Sequence, residues 1–270
     1  MKAFVINLER STSRRAFMQR QLSAQGVDFE FIKAVDGATL TDGYLAQICD
    51  FEELKTKRPH LLRKGVYGCL LSHYSVYEKI VADNLPYALI MEDDIEIQPG
   101  LKALLQAMEL TIQENEVILL FSQNNYMPTI LSEQNADTLL GTYRVSYPMQ
   151  PWALGSAAGY VISLAAAKNL AKSVLPIRYA ADGWSSYYYD HNILSLRCVT
   201  PFPVKPAGFK SDIDYVNNDS FRSKALLFIN KHNIFPFKQL LDLRRKHVLD
   251  KTAQYSFTPE PSPMVSSQSM

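Results

Sequence analysis

No apolar run in this 270-residue chain approaches the ~20 residues that cross a bilayer as a helix, so no transmembrane segment is expected. Cysteine is scarce. Cys49, Cys69 and Cys198 are an odd number, and none lies in a C-x-x-C pair. A disulfide framework or a zinc site is therefore not expected, and a reducing compartment is favoured. All three read as small buried hydrophobes. There is no Gly-x-Gly-x-x-Gly and no Walker sequence, so neither dinucleotide nor P-loop chemistry is indicated. No nucleophile elbow joins Ser, His and Asp, which sets aside a serine hydrolase. Internal repeats are absent. The opening residues, Met1 to Asn7, carry one positive charge and a short apolar run, and read as a strand and not a signal peptide.

What is present suits a folded enzyme-sized body. Hydrophobic residues make up 47% and charged residues 20%, enough for a sizeable core. The length allows one large domain, or one domain with a tail. Net charge is only +1 but unevenly placed. Between residues 222 and 251, Arg222, Lys224, Lys231, Lys238, Arg244, Arg245, Lys246 and Lys251 face only Asp242 and Asp250. An acidic body with a basic C-terminal arm results.

Periodicity predicts a strand over 2–7, then a helix capped by Ser11 and ending near Gly26, then a strand over 29–35 closed by Asp36-Gly37. Residues 38–64 show no clean period. A helix is predicted over 66–82. The continuous apolar run Tyr87 to Met91 reads as a strand buried on both faces, and it ends in Glu92-Asp93-Asp94. A helix from Pro99 to about Gln113, strands near 117–121, 145 and 160–162, and a helix over 164–174 follow. This alternation is α/β, with a mainly parallel sheet. The Pro- and Ser-rich tail, 258–270, is expected to be disordered.

The sharpest chemical feature is Glu92-Asp93-Asp94. Three adjacent carboxylates repel, and a hard divalent ion shared with a diphosphate would relieve them. A solvated acidic turn is the plain alternative. The position at a strand's carboxyl end, where α/β proteins bind ligands, favours function. Two-metal nucleases and phosphatases use similar clusters. Between strand one and helix one, Asn7, Leu8, Arg10 and Arg14 could receive phosphate, or could be ordinary solvated side chains. Asp36 stands at a turn. Ser72-His73 lies within a helix, where a lone His is usually a satisfied core residue. Trp152 precedes the small-residue run Gly155 to Gly159, which suits either close ligand approach or tight packing. Asp182-Gly183-Trp184 sets a carboxylate beside an aromatic face, as a base next to a sugar would need.

Taken in order, these stretches resemble glycosyltransferase family 25, of the bacterial lipooligosaccharide galactosyltransferase type. The matching stretches are Val5-Ile6-Asn7-Leu8 with Arg10, Arg14 and Arg15, then Ala34 to Gly37, Gly65 to His73, Ala88 to Asp94, Gly155 to Ser163, Asp182, and Ser211-Asp212-Ile213. The resemblance implies a GT-A-like, Rossmann-like sheet flanked by helices over 1–215, with a basic helical extension over 216–257. It implies a nucleotide-sugar donor such as UDP-galactose, an oligosaccharide or glycolipid acceptor, and inversion at the anomeric carbon. Asp94, with Asp93, would bind Mn²⁺ or Mg²⁺. Asn7, Leu8, Arg10, Arg14, Asp36, Ser72, His73, Glu92, Asp93, Ser211 and Asp212 would contact the donor, with Asp36 at the nucleoside. Trp152 and Trp184 would meet the acceptor. Asp182 is the first choice for the catalytic base, with Asp212 or Asp190 as substitutes. The basic arm suggests an anionic membrane surface, hence a cytoplasmic protein peripheral on the inner membrane, or else a helix docked on the acidic body. No nucleic-acid partner is expected, since the basic residues lack a recognition-motif context. The competing classes are a metal-dependent phosphohydrolase and a non-catalytic nucleotide-sugar-binding module.

Overall fold

A computed structural model describes residues 1–123 and 128–209, together with 225, 228, 229, 232, 234–240, 243 and 252–255. In chain order the elements are β1 (Lys2–Asn7), α1 (Thr12–Ala24), β2 (Phe29–Lys33), α2 (Asp42–Ile48), α3 (Phe51–Lys57), α4 (Lys64–Ala82), β3 (Tyr87–Glu92), β4 (Ile95–Ile97), α5 (Leu101–Glu109), β5 (Glu116–Leu119), β6 (Thr129–Leu140), β7 (Tyr143–Pro148), β8 (Gly159–Ser163), α6 (Leu164–Ser173), α7 (Trp184–Tyr189), β9 (Ser195–Thr200), β10 (Val204–Pro206) and β11 (Thr252–Tyr255).

Nine strands form one sheet in the order β11-β6-β7-β9-β5-β8-β3-β1-β2. Only β8 and β7 run against the rest, so the sheet is mostly parallel in direction, as expected. The side-chain alternation of a strand explains its two covered faces. Phe4 and Ile6 of β1, Ala88 and Ile90 of β3, and Tyr160 and Ile162 of β8 point to one core, shared with Tyr77 and Ile80 of α4 and Leu170 of α6. The intervening residues Ala3, Val5, Leu89, Met91 and Val161 point to a second core, shared with Met18 and Leu22 of α1 and Leu104 and Met108 of α5. A separate two-stranded ribbon joins β4 to β10.

Several local expectations change. Ser11 takes the N-cap position of α1 without a side-chain cap bond; Asn7 instead donates to the Ser11 carbonyl at 3.2 Å. The aperiodic stretch 38–64 holds α2 and α3, short helices capped by Thr41 and Asp50. α5 starts after left-handed Gly100 and ends at Glu109, shorter than predicted. The long β6–β7 hairpin is new, because most of β6 beyond Ser132 is polar and solvent-facing. Within the extension expected to be helical, Thr252–Tyr255 is a strand that pairs with β6, covering an otherwise open edge. Arg222, Lys224, Lys231, Arg244, Arg245, Lys246 and Lys251 of the basic arm, and the tail from 258, lie outside the described residues. No described helix is long and apolar enough to cross a membrane.

Two contacts fix the frame around the sheet's carboxyl edge. The first is glycine-dependent. A Cβ on Gly68 of α4 would stand 2.7 Å from Gly37 N and Val35 O, and one on Gly37 would meet the Lys64 backbone. Helix α4 therefore lies directly against the turn that follows β2. Ser72 strengthens this contact, accepting from Val35 N at 2.8 Å and donating to Gly68 O at 2.6 Å. The second is a buried ion pair. Arg197 of β9 grips Glu116 of β5 through Nε (2.5 Å) and Nη2 (2.9 Å), and reaches Asp137 and the Thr111 carbonyl. Neither Arg197 nor Glu116 is exposed.

Gly68→Ala should destabilise the chain by about 1–3 kcal/mol, since the obstructing atoms are backbone and cannot rotate away; urea unfolding followed by circular dichroism measures this. Arg197→Met should cost about 3–5 kcal/mol by leaving Glu116 buried and unpaired. The double variant Arg197→Met with Glu116→Gln should recover most of that loss in the same assay. Equal stability of the single and double variants would contradict the ion-pair account.

Candidate active site

The registers of β1 with β2 and β3 bring Ile6 opposite both Ile32 and Glu92, so three strand ends meet at one edge. Beyond that edge, Leu8, Glu9, Arg10, Lys33, Ala34, Val35, Asp36 and Thr39 line a cavity of about 730 Å³. Asp36 receives an ion pair from Arg10 and accepts from Ala38 N at 3.1 Å, which shapes the turn.

The acidic run divides its three side chains. Asp93 is 6% exposed, with both oxygens in use: Asn7 Nδ2 donates to Oδ2 at 2.5 Å and Arg14 Nη1 to Oδ1 at 3.1 Å. Asp93 thus anchors the turn, and of the two acids expected at the metal Asp94 is the more open. Burial, offset by Asn7 and Arg14, pushes its carboxyl up. Asn7 is buried as well, and its Nδ2 serves as an anchor for Asp93 and the Ser11 carbonyl. Asp94 points elsewhere and is partly exposed, with Arg14 at 3.9 Å. Burial, then the Glu92 charge, lifts Asp94 to about 6. Arg14 also lies over the ring of Phe209, 5.5 Å from its centroid.

Glu92 faces helix α4. Its Oε1 is 3.4 Å from His73 Nε2 and 3.6 Å from Cys69 Sγ. His73 is fully buried, and its Nδ1 meets the Tyr160 hydroxyl at 2.8 Å, which in turn meets Tyr77 at 2.9 Å. His73 and Ser72 thus stand behind the site. The Ser72 hydroxyl is engaged by backbone and His73 Nδ1 by Tyr160, while His73 Nε2 faces Glu92; both residues are buried, away from the direct donor contact expected of them. Cys69 was read as an inert small hydrophobe, yet its thiol borders the acids. Burial first, then Glu92, Asp182 and Asp94, push that thiol well up.

Asp182 comes to the same acids from the loop before α7. It is open to solvent but surrounded by protein, so poor solvation, and next the Glu92 charge, raise its carboxyl. The Ser156 backbone N–H donates to it. Ser156 achieves this with φ +81°, a left-handed backbone unusual outside glycine. Trp184 Nε1 locks the same residue by donating to its carbonyl at 2.9 Å. Trp184 is 0% exposed, edge-on to Tyr160 with centroids 4.8 Å apart. It cannot stack on an acceptor, which corrects that expectation: the α7 start turns its indole inward to close the core. Trp152, 48% exposed on a one-turn helix over 151–153 that packs on α7, keeps an open face. Asp190 accepts from Tyr179 at 2.6 Å instead of joining the acids. Ser211 and Asp212 lie outside the described residues.

Glu92 thus influences both Asp94 and Asp182, and a turn cavity holding Arg10 and Asp36 lies at the ends of the neighbouring strands. Cys69 and Ser156 were not singled out from the sequence. The i, i+4 spacing of Cys69 and His73 was the available signal for the first, since such pairs share a helix face. The left-handed Ser156 had none.

Comparison with known proteins shows the family of this chain. Residues 1–184 match the family model described as glycosyltransferase family 25 (LPS biosynthesis protein). A glycosyltransferase 25 family member of Anopheles gambiae is 28% identical over 81% of this chain and 39% of its own length. Human procollagen galactosyltransferase 2 is 26% identical over 80% of this chain and 36% of its own. A mouse protein named inactive glycosyltransferase 25 family member 3 is 26% identical over 80% of this chain and 38% of its own. This chain spans well under half the length of these relatives. With more than half of its residues covered by the family model, the chain belongs to glycosyltransferase family 25.

Proposed function

We propose that this chain transfers a hexose, galactose from UDP-galactose, onto a saccharide acceptor with inversion. The observation that supports the reading is that the Glu92 charge acts on both Asp94 and Asp182 in poorly solvated surroundings, while a cavity at Asp36 opens beyond the ends of the neighbouring strands. Family membership supports glycosyl transfer, and the galactosyltransferase name of the human relative supports galactose. The family description favours a lipopolysaccharide-type acceptor. An enzyme building such a glycolipid would work at the cytoplasmic membrane face, where the basic arm of 222–251 could meet anionic lipid.

Asp94 is a hard oxygen donor held at about 6 in a cleft with excess negative charge, a setting that fits Mn²⁺ or Mg²⁺. Asp94 would hold the ion, with donor phosphates supplying further ligands. Bound there, the ion would offset charge building on the diphosphate leaving group. The chain's own residues divide the remaining work. Arg10 and Asp36 frame the nucleoside cavity, and Arg14 adds positive charge at the acids. Asp182 takes the acceptor hydroxyl proton as the hydroxyl oxygen bonds to the anomeric carbon and the bond to the diphosphate breaks. Its raised affinity for protons suits a base working near neutral pH. The Ser156 N–H holds that carboxylate in place, and Trp152 offers its open face to the sugar. The mouse relative named inactive keeps a second reading in view, a nucleotide-sugar-binding module without turnover.

In EDTA-washed buffer resupplied with Mn²⁺, the wild type should release UDP from radiolabelled UDP-galactose in the presence of a saccharide acceptor. Asp94→Asn and Asp182→Asn should each lose at least about a hundredfold in kcat. Undiminished turnover by Asp94→Asn would contradict the metal role. A donor-induced melting shift without turnover would favour the binding module, and phosphate release from simple esters a phosphohydrolase.

Asp94→Asn also tests the charge state without substrate. Because the folded chain binds the Asp94 proton more tightly than the unfolded chain, stability is lost as pH rises from the ordinary 3.8 through about 6. Replacing the acid should therefore stabilise the metal-free protein at pH ~7.5, by about 1 kcal/mol after discounting for solvent screening. The difference should vanish near pH ~4, as read by urea unfolding at both pH values.

A further inference from the structure

We propose that Cys69, His73 and Glu92 form a binding site for a thiophilic divalent transition metal such as Zn²⁺, separate from the hard-cation position at Asp94. The donor atoms of the three side chains lie within 4.8 Å of one another. Tetrahedral zinc with ordinary bond lengths sets its nitrogen and oxygen ligands about 3.4 Å apart, and sulfur and oxygen about 3.6 Å apart. The observed separations are 3.4 Å from His73 Nε2 to Glu92 Oε1 and 3.6 Å from Cys69 Sγ to Glu92 Oε1.

The scaffold is rigid. Cys69 and His73 are one turn apart on α4, so both point from the same helix face, as the paired histidines of zinc-binding helices do. Glu92 ends β3, a central strand of the sheet. A supporting contact is also present. His73 Nδ1 meets the Tyr160 hydroxyl at 2.8 Å, and Tyr160 meets Tyr77 at 2.9 Å. With Nδ1–H donating to the Tyr160 hydroxyl, the ring is fixed and Nε2 keeps its lone pair for a metal. At 3.4 Å, the His73 Nε2 to Glu92 contact is long for a hydrogen bond. His73 is buried, whereas Cys69 and Glu92 are partly exposed, so a metal would keep one side open toward the cleft. Three protein ligands and an open position distinguish such a site from a closed structural one. Binding replaces the Cys69 thiol proton with the metal and releases that proton to solvent.

The scarcity and spacing of cysteines argue against zinc only when ligands are sought in C-x-x-C pairs. Here the ligands come from a helix and a strand end. The inference does not depend on sugar transfer, and Asp94→Asn distinguishes the two.

The test uses the full chain, stripped with EDTA and titrated with Co²⁺, then with Zn²⁺ in competition. The expected result is a single equivalent of Co²⁺ with a near-ultraviolet thiolate-to-cobalt band and visible bands of four-coordinate cobalt, all removed by Zn²⁺. Cys69→Ser should lose the near-ultraviolet band. His73→Gln should bind Co²⁺ at least about tenfold more weakly. Asp94→Asn should keep the near-ultraviolet band. Wild-type protein supplies a second readout that needs no variant: Zn²⁺, but not Mg²⁺, should slow alkylation of Cys69 by iodoacetamide, followed by mass spectrometry. Absence of the near-ultraviolet band, its survival in Cys69→Ser, its loss in Asp94→Asn, or unchanged Cys69 alkylation with Zn²⁺ would each overturn the proposal.

Discussion

The bond between Asn7 and Asp93 organises the rest of the site. Three consecutive acids at the end of a buried strand would repel one another and have no fixed arrangement. Burying the middle one, and giving both of its oxygens a donor, resolves this: Asp93 takes Asn7 and Arg14 and becomes part of the frame. Its neighbours are then forced apart. Glu92, still within β3, points toward α4, and Asp94 is partly exposed with Arg14 at 3.9 Å. An uncompensated buried carboxylate would be costly, so the anchoring holds only because both donors are in place. Arg14 reaches Asp93 from α1 and Asn7 from β1, which explains why the start of the chain and the end of β3 act as one unit.

A second constraint sets the distance between that unit and the cavity at Asp36. Gly37 and Gly68 let the backbone of α4 touch the turn after β2, and Ser72 holds the contact with two hydrogen bonds. Asp36 sits on that turn, and Cys69 and His73 sit one turn along the same helix. The helix thus carries two kinds of information. One face packs tightly enough to place Asp36, and the next residues present a thiol and an imidazole to Glu92. Residues that read as donor contacts, Ser72 and His73, support the residues that can reach a ligand.

Much of this was legible in the sequence where a pattern and a purpose coincide. The apolar run Tyr87 to Met91 is buried on both sides because helices cover both faces of the sheet, and the acids follow it as read. The first strand, helix and strand also stand where periodicity put them. Legibility failed where structure depends on distant partners. Helices α2 and α3 are short and capped by single side chains, so no period had room to show. Most of β6 is polar because it is a solvent-facing ribbon, and its strand state comes from pairing with β7 and β11. Trp184 followed a carboxylate and a glycine like a surface platform. It is buried because α7 turns it onto Tyr160. The division of roles within Glu92-Asp93-Asp94 was invisible too, since nothing local says which acid meets Asn7.

Among the described residues, the electrostatics of these acids follow from their poor solvation and the limited reach of Arg14. Arg14 contacts Asp93 closely and Asp94 only at 3.9 Å, so its charge is largely spent on the anchor. Asp94 and Asp182 are both pushed toward the protonated form by poor solvation, and both by Glu92 as the next cause. A surface cluster would have shed this strain into water. Here the protein maintains it, with a left-handed Ser156 that directs an N–H at Asp182 and a buried tryptophan that keeps Ser156 in that conformation. Such a backbone at a non-glycine residue persists only where its surroundings impose it. Ser156 and Trp184 fix the place of one acid, and Asn7 and Arg14 fix the place of the other two. The cleft is left to be balanced by what enters it.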